Sequence, residues 1–262
     1  MEPAIALTDV AVSFDTGAAR VEVLAGFELT VAAGEFLCVV GPTGCGKSTI
    51  LNVIAGLLRP TGGEVRVFGA PLAGLNREAG YLFQADALLP WRTARDNVAL
   101  GLAFRGLPRR EAEARADDWL ARVGLARAAA RYPHQLSGGM KKRVALAQVL
   151  APGPRILLMD EPFSALDVQT RALMENELLA LWSGDRKSVV FITHDLEEAI
   201  ALGDRVVVLS AGPASHPVGE YVIDLPRPRD VQEIRMSPRF VELQRQVWQA
   251  LRAQVNVRRE VT

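Results

Sequence analysis

The stretch GPTGCGKST, residues 41–49, constrains this chain more than any other part of it. It follows the apolar run FLCVV (Phe36–Val40) and precedes the helical pattern TILNVIAGLL, so its glycines fall at a strand-to-helix turn. In that context G-x-x-x-x-G-K-[ST] works as a phosphate cradle. Gly41, Gly44 and Gly46 let the backbone wrap an anion, with Pro42, Thr43 and Cys45 between them. The loop's N–H groups form a concave anion nest. Lys47 reaches toward β- and γ-phosphates, and Ser48, followed by Thr49, offers a hydroxyl to Mg²⁺. ATP with Mg²⁺ is the ligand this chemistry predicts.

A strand feeding such a turn predicts an α/β protein, and the remaining pattern agrees. RILLMD (Arg155–Asp160), SVVFIT (Ser188–Thr193) and RVVVLS (Arg205–Ser210) are continuous apolar runs, as in parallel strands covered on both faces. The N-terminal stretches IALTDVAVSF and GFELTV alternate instead, predicting a small antiparallel β layer before the main sheet. From about Thr93 to Ala130 the chain is rich in Ala, Arg, Glu and Leu, which predicts a helical insertion. Within it PRREAEARADDWLARVGL enters a helix at Pro108 and leaves it at Gly124. The tail SPRFVELQRQVWQALRAQV resumes helical spacing through Phe240, Leu243, Val247 and Leu251, a stripe expected to pack on its own chain or on a second copy.

The apolar strand ILLMD ends in two carboxylates, Asp160 and Glu161, at the sheet edge where open α/β sheets bind ligands. Alternation along a strand turns neighbours apart, so the two are expected to have separate duties. Asp160 would hold Mg²⁺, directly or through water, and Glu161 would polarise an attacking water.

Bulk properties exclude some classes. Lys+Arg and Asp+Glu each total 30, for a formal net charge of zero. No field for nucleic acid is advertised. The opening MEPAIALTDV has neither a basic nor an apolar signal region, and no apolar run approaches the roughly 20 residues that span a bilayer. A soluble, cytoplasmic chain is expected. Cys38 and Cys45 are predicted to be free thiols, Cys45 lying near a helix N-terminus where a thiol pKa can fall. Cys45 is then either a reactive thiol whose alkylation blocks ATP binding and which MgATP protects, or an inert small residue of the loop.

A second glycine loop stands far downstream, in LSGGMKKRVALAQVLA, residues 136–151. A serine N-cap before two glycines and a helix also suits an anion. Here the sequence closely resembles the ATP-binding cassette (ABC) ATPases: LSGGM is similar to their signature motif, YLFQADALLPW carries a glutamine-loop residue at Gln84, LMDEPFSALD runs on to Asp167, and FITHD places a switch histidine at His194. The motifs stand in the family's order. The resemblance implies a P-loop NTPase of ABC ATPase type, with a mostly parallel sheet, an N-terminal antiparallel layer and an inserted helical subdomain at about 88–150. Residues 1–225 would form the cassette and 226–262 a C-terminal helical extension.

The same resemblance implies that two cassettes pack head to tail. The phosphate loop of one then receives Ser137, Gly138 and Gly139 of the other. His194 would contact the γ-phosphate and orient water with Glu161, whereas Gln84 would sense Mg²⁺ and that water. Met140 stands where the family most often has Gln; a thioether donates no hydrogen bond, so contact there rests on Ser137 and backbone N–H groups. Phe14 fits the family's adenine-stacking position or a core position, and Trp91 fits a partner anchor or a core site. Lys141, Lys142 and Arg143 are expected to form a solvated helix face. QADALLPWRTARDNVALGLAFRG and the tail resemble cassette subunits of importers for nitrate, taurine and aliphatic sulfonates. Transmembrane permease subunits, an extracytoplasmic solute-binding protein and a peripheral place at the cytoplasmic face of the cell membrane are thereby implied. The competing reading is a soluble ABC ATPase that acts on nucleic acid or ribosomes.

Overall fold

The computed structural model describes residues 2–15, 17, 19–85 and 87–261, with side chains through residue 255. In chain order the elements begin with β1 (Ile5–Asp15), β2 (Arg20–Val31), β3 (Phe36–Val40), α1 (Lys47–Ile54), β4 (Gly62–Val67), β5 (Ala70–Pro71) and β6 (Ala79–Leu82). Three helices, α2 (Ala94–Phe104), α3 (Arg109–Arg122) and α4 (Gly138–Leu150), follow as a block. The chain then returns through β7 (Ile156–Asp160), α5 (Val168–Asp185), β8 (Ser188–Ile192), α6 (Leu196–Leu202), β9 (Arg205–Leu209) and β10 (Pro217–Val222). It closes with the short α7 (Val231–Ile234) and the long α8 (Pro238–Val261).

A six-stranded sheet of order β10-β9-β3-β8-β7-β6 forms the centre, parallel except for β10. A four-stranded antiparallel sheet, β2-β1-β4-β5, is the predicted N-terminal layer, extended by β4 and β5 from beyond α1. Every residue of β3 is buried, and alternation divides them between two cores. Phe36, Cys38 and Val40 pack into the core with residues of α5, α6 and α8. Leu37 and Val39 pack into the other core with Ile50 and Ile54 of α1 and Phe27 and Val65 of the antiparallel sheet. Each fully buried Phe, Leu or Ile contributes roughly 1.5–3 kcal/mol. The central strands therefore fix the phosphate loop from both sides.

The helical insertion has a core of its own, including Val98, Leu102, Ala116, Leu120 and Val144. Thr93 caps α2 in a reciprocal box with Asp96, and Pro108 and Gly124 bracket α3 as predicted. Phe240, Leu243, Val247 and Leu251 are buried in the cassette's own core, so the α8 stripe packs within the chain. Arg229 reinforces this dock: its guanidinium donates to the carbonyls of Ile200, Ala201, Gly203, Ile223 and Leu225, gathering the C-terminal end of α6.

One helix is shorter than its apolar pattern. TILNVIAGLL predicts helix through Leu58, but α1 ends at Ile54. Gly56 adopts φ +70°, and a Cβ there would lie 1.9 Å from the Gly74 carbonyl oxygen. The chain turns out because another backbone crosses it.

Candidate nucleotide site at the sheet edge

Four adjacent parallel strands, β3, β8, β7 and β6, deliver the predicted residues to one edge. The phosphate loop leaves β3, His194 follows β8, Asp160 and Glu161 end β7, and Gln84 follows β6. Their convergence follows from strand order alone, because the C-terminal ends of parallel strands share an edge.

The phosphate loop is drawn tight. Gly46 has φ +93°, and a Cβ there would sit 2.8 Å from Val23 Cγ1. At Gly41 a Cβ would meet Cys45 Sγ at 2.9 Å. Only glycine suits either place. Lys47 is buried and folds back over the loop, its ammonium donating to the carbonyls of Gly41 at 2.9 Å and Pro42 at 3.0 Å. A fixed positive charge thus stands at the mouth of the loop. Thr43, Gly44 and Ser48 are exposed, with Thr49 half-buried behind them.

Asp160 and Glu161 do point to different partners. Asp160 lies beside the hydroxyls of Ser48 and Tyr81, the latter donating to Asn52 Oδ1 at 3.3 Å; burial raises the Asp160 pKa, against the lowering effect of Ser48. Tyr81 itself is held well above its ordinary range by burial and by the charge of Asp160. A carboxylate, a serine hydroxyl and the phosphate loop suit a hard cation that also binds phosphate oxygens. Among the described residues no cluster of three or more His, Cys, Asp or Glu could by itself cage a metal.

Glu161 has left the strand. Its φ of +43° is a left-handed conformation that costs a non-glycine residue roughly 1–3 kcal/mol. The bend is held by its N–H donating to the Ile192 carbonyl at 2.9 Å and by Ser164 Oγ donating to its own carbonyl at 3.0 Å. It aims the carboxylate sideways at β8, where Glu161 Oε2 lies 2.9 Å from His194 Nδ1. The histidine ring remains 60% exposed.

Behind this pair, Arg171 of α5 bridges two loops. It donates to the Leu166 carbonyl and to Asp195 Oδ2, both at 3.2 Å. Asp195 N-caps α6 and Asp167 N-caps α5. Tyr81 and Arg171 are supporting residues that motif spacing does not reveal, since nothing in a single sequence marks which neighbour a strand end will meet.

The signature segment is built differently. Ser137 caps α4 by accepting from the Met140 N–H at 3.3 Å, which leaves its hydroxyl proton available to a ligand. Ser137 and Gly138 are exposed. A Cβ at Gly138 would meet nothing within 4 Å, whereas one at Gly139 would come within 2.8 Å of Thr170 Cγ2.

Other expectations change. Cys45 is only 1% exposed, and burial raises its thiol pKa even though Lys47 pulls the other way. This burial favours the inert reading of Cys45 over the reactive one. Lys142 is buried rather than solvated. Phe14 is 42% exposed at the end of β1, not a core residue, and Trp91 is 71% exposed. Thr16 and Ala18 of the turn after Phe14, and Asp86 of the Gln84 loop, lie outside the described residues.

A groove of about 550 Å³ separates α2 from α3, floored by Ala99, Leu100, Ala103 and Leu107 and rimmed by Arg92, Asp96, Arg109 and Glu113. A cavity of about 720 Å³ lies elsewhere, between the end of α1 and β4, and contains none of the motif residues. Among the described residues no helix is long and apolar enough to cross a membrane.

Comparison with known proteins gives the same answer as the geometry. A putative ATP-binding protein of Brucella abortus is 48% identical over 224 residues, covering 85% of each chain. An uncharacterized ABC transporter ATP-binding protein of Methanocaldococcus jannaschii is 46% identical over 243 residues, covering 92% of this chain and 89% of its own. The bicarbonate transport ATP-binding protein CmpD of Synechococcus elongatus is 42% identical over 245 residues, covering 92% and 88%. The dimeric, post-hydrolysis structure of the ATP-binding cassette MJ0796 bound to ADP and Pi superposes with a TM-score of 0.75 at 34% identity, over 85% of this chain and all of that one. Residues 24–164 match the ABC transporter family. A cradle for triphosphate, a carboxylate pair and a separate glycine cap, set on this fold and matched across most of its length, place the chain in the ABC transporter family as an ATP-binding cassette ATPase.

Proposed function

We propose that the chain powers a membrane importer for a small solute of the nitrate, sulfonate or taurine class, a range that its CmpD relative, named for bicarbonate transport, widens to another small oxyanion. The observation that carries the reading is the division of the site. Lys47, the Ser48–Asp160 pair and the Glu161–His194 pair share one edge, while the cap, with Ser137 and Gly138 exposed and Gly139 half-buried, belongs to the helical insertion. Two such chains arranged head to tail complete each other's sites, as the dimeric structures of MJ0796 suggest by analogy.

In that arrangement the loop from Gly41 to Thr49 wraps the phosphates and Lys47 turns from its own carbonyls to the β- and γ-phosphates. Phe14, exposed at the rim, stacks on adenine. Ser48, Asp160 and Gln84 hold Mg²⁺, which supplies positive charge to the phosphate oxygens. Glu161 orients and deprotonates the attacking water, a role typically worth about 10²–10⁴ in rate, and His194 braces that carboxylate while reaching the γ-phosphate. Ser137 and the amides of Gly138 and Gly139 add donors and the positive end of α4 from the second chain. ATP thus lies at the seam, and its hydrolysis loosens the closed pair.

The α2–α3 groove, with Trp91 beside it, receives a cytoplasmic helix of a permease subunit. An apolar floor with a charged rim suits an amphipathic helix. The chain then sits peripherally on the cytoplasmic face, and an extracytoplasmic binding protein delivers the solute. The test is isolation of the tagged chain from membranes. Co-purification of an integral-membrane subunit is expected, and Ala103→Asp, which places a charge on the groove floor, should reduce that recovery at least about tenfold without lowering ATP affinity. Recovery of nucleic acid or ribosomes, with no membrane subunit, would instead support the soluble reading. Screening the complex's binding protein against nitrate, sulfonates, taurine and bicarbonate then names the solute.

A further inference from the structure

The basic run after the signature glycines holds a side chain with no role in the reaction described above. Lys142 is 4% exposed, and its Nζ donates to the backbone carbonyl of Gln84 at 2.7 Å. Its neighbour Arg143 faces another way and pairs with Glu177 of α5 at 2.7 Å. Burying an ammonium costs several kcal/mol unless its protons are hydrogen-bonded, so the burial of this lysine depends on the bonds that it makes. An apolar residue would fill the same volume.

The two ends of the bond belong to different parts of the site. Gln84 stands two residues beyond β6, where the chain leaves the sheet edge for the helical insertion. Lys142 lies in the second turn of α4, the helix whose first turn presents Ser137, Gly138 and Gly139. The loop that faces the chain's own nucleotide is thereby fastened to the helix that caps the partner's.

We propose that Lys142 is a positioning residue: its ammonium ties the Gln84 loop to α4, so that filling of a chain's own nucleotide site sets the orientation of the signature cap it offers to the second chain. The inference rests on the reading that the cap acts between chains. A direct donor–acceptor bond transmits a displacement that apolar contact would let slip, and this one spans the junction between sheet edge and helical insertion.

Lys142→Met keeps bulk and removes the donor; Lys142→Arg keeps a donor. In the assembled transporter, Lys142→Met should lower kcat at least about tenfold with little change in KM, and Lys142→Arg should recover most of the rate. ATP affinity of the isolated monomer should stay within about twofold of the parent. Hydrogen exchange in the monomer should quicken more than about fivefold at the amides of residues 83–89 while those of β3 and α1 keep their protection. A kcat for Lys142→Met within twofold of the parent, or an arginine variant as slow as the methionine one, would overturn the proposal. So would exchange accelerated evenly through the sheet. Lys142→Gln guards against misfolding: if it and the methionine variant both fail to fold, the ammonium is a requirement of folding and the positioning role is lost. Failure of the between-chain reading shows separately, as a parental ATPase rate per chain that does not depend on cassette concentration; the exchange measurement still decides whether the tether holds.

Discussion

The two glycine loops, proposed above to serve the same kind of ligand, are built on opposite plans. The loop at residues 41–49 is completed by its own chain: Gly46 is forced to φ +93° beneath Val23, Cys45 is sealed in the core, and Lys47 is satisfied by the loop's carbonyls. At residues 137–139 the chain supplies little beyond a serine cap and an exposed helix end. Two sides of Gly138 and Gly139 differ as well, because Gly139 is pressed against Thr170 whereas Gly138 faces open space. A loop that holds a ligand by itself must be rigid before the ligand arrives. A loop that covers a ligand held elsewhere needs only an open, donor-rich end.

Alanine at each glycine breaks this comparison if it is false. Gly46→Ala carries the largest expected effect: a positive φ and a 2.8 Å clash with Val23 together should cost about 2–4 kcal/mol of stability, and monomer affinity for ATP should fall at least about a hundredfold. Calorimetry and equilibrium nucleotide binding on the isolated chain check both. Gly138→Ala meets no neighbour and needs no unusual φ, so stability and monomer affinity should stay within about 0.5 kcal/mol of the parent. On the proposed head-to-tail pairing its added methyl would stand between the cap and a phosphate brought by another chain. Hydrolysis by the assembled pair should drop about tenfold or more. Equal loss of monomer affinity in both variants would mean that the two loops serve one nucleotide in one chain.

The contrast also governs what the sequence could disclose. Strand, glycine turn and helix are local, so the phosphate loop and its neighbours in β3 and α1 were legible from spacing. Asp160 and Glu161 were legible in the same way, and alternation foretold that they would face different partners. The left-handed bend at Glu161 was not, because it depends on the Ile192 carbonyl of another strand. Nor was the burial of Lys142: a basic run on a helix is ordinarily solvated, and only the return of the Gln84 loop over α4 covers it. Cys45 misled in the same manner, since the field of a helix end is a local cue and burial is a tertiary fact. Short β4 and β5 carry no apolar run of their own; β4 exists because β1 offers it an edge, and β5 because β4 does.

A smaller effect concerns the scaffold behind the self-contained loop, where charge is buried rather than avoided. Glu198 in α6 is 4% exposed, and burial raises its pKa to about 8 although a hydrogen bond with Thr193 opposes the shift. Glu175 in α5 is fully buried and is raised to about 7 by burial, against the pull of Arg235 at 3.1 Å. Between the ordinary carboxylate pKa near 4.5 and these raised values the folded chain binds more protons than the unfolded one, so the contribution of both groups to stability is present at acid pH and is lost as pH climbs through about 7 and then 8. Glu198→Gln keeps the shape and removes the titration. It should leave the melting temperature at pH 5 nearly unchanged and raise it at pH 8.5 by about 2–6 °C, on the scale of one or two kcal/mol for a chain of this size. Because Glu198 reaches Thr193, the residue before His194, the same variant also tests how far the core supports the switch. A melting curve that gains at pH 8.5 while hydrolysis holds steady would assign Glu198 to the scaffold alone. A parallel fall in hydrolysis would mean that the Glu161–His194 pair depends on a charge in the layer beneath it, which would make the self-contained half of the site less rigid than its glycines suggest.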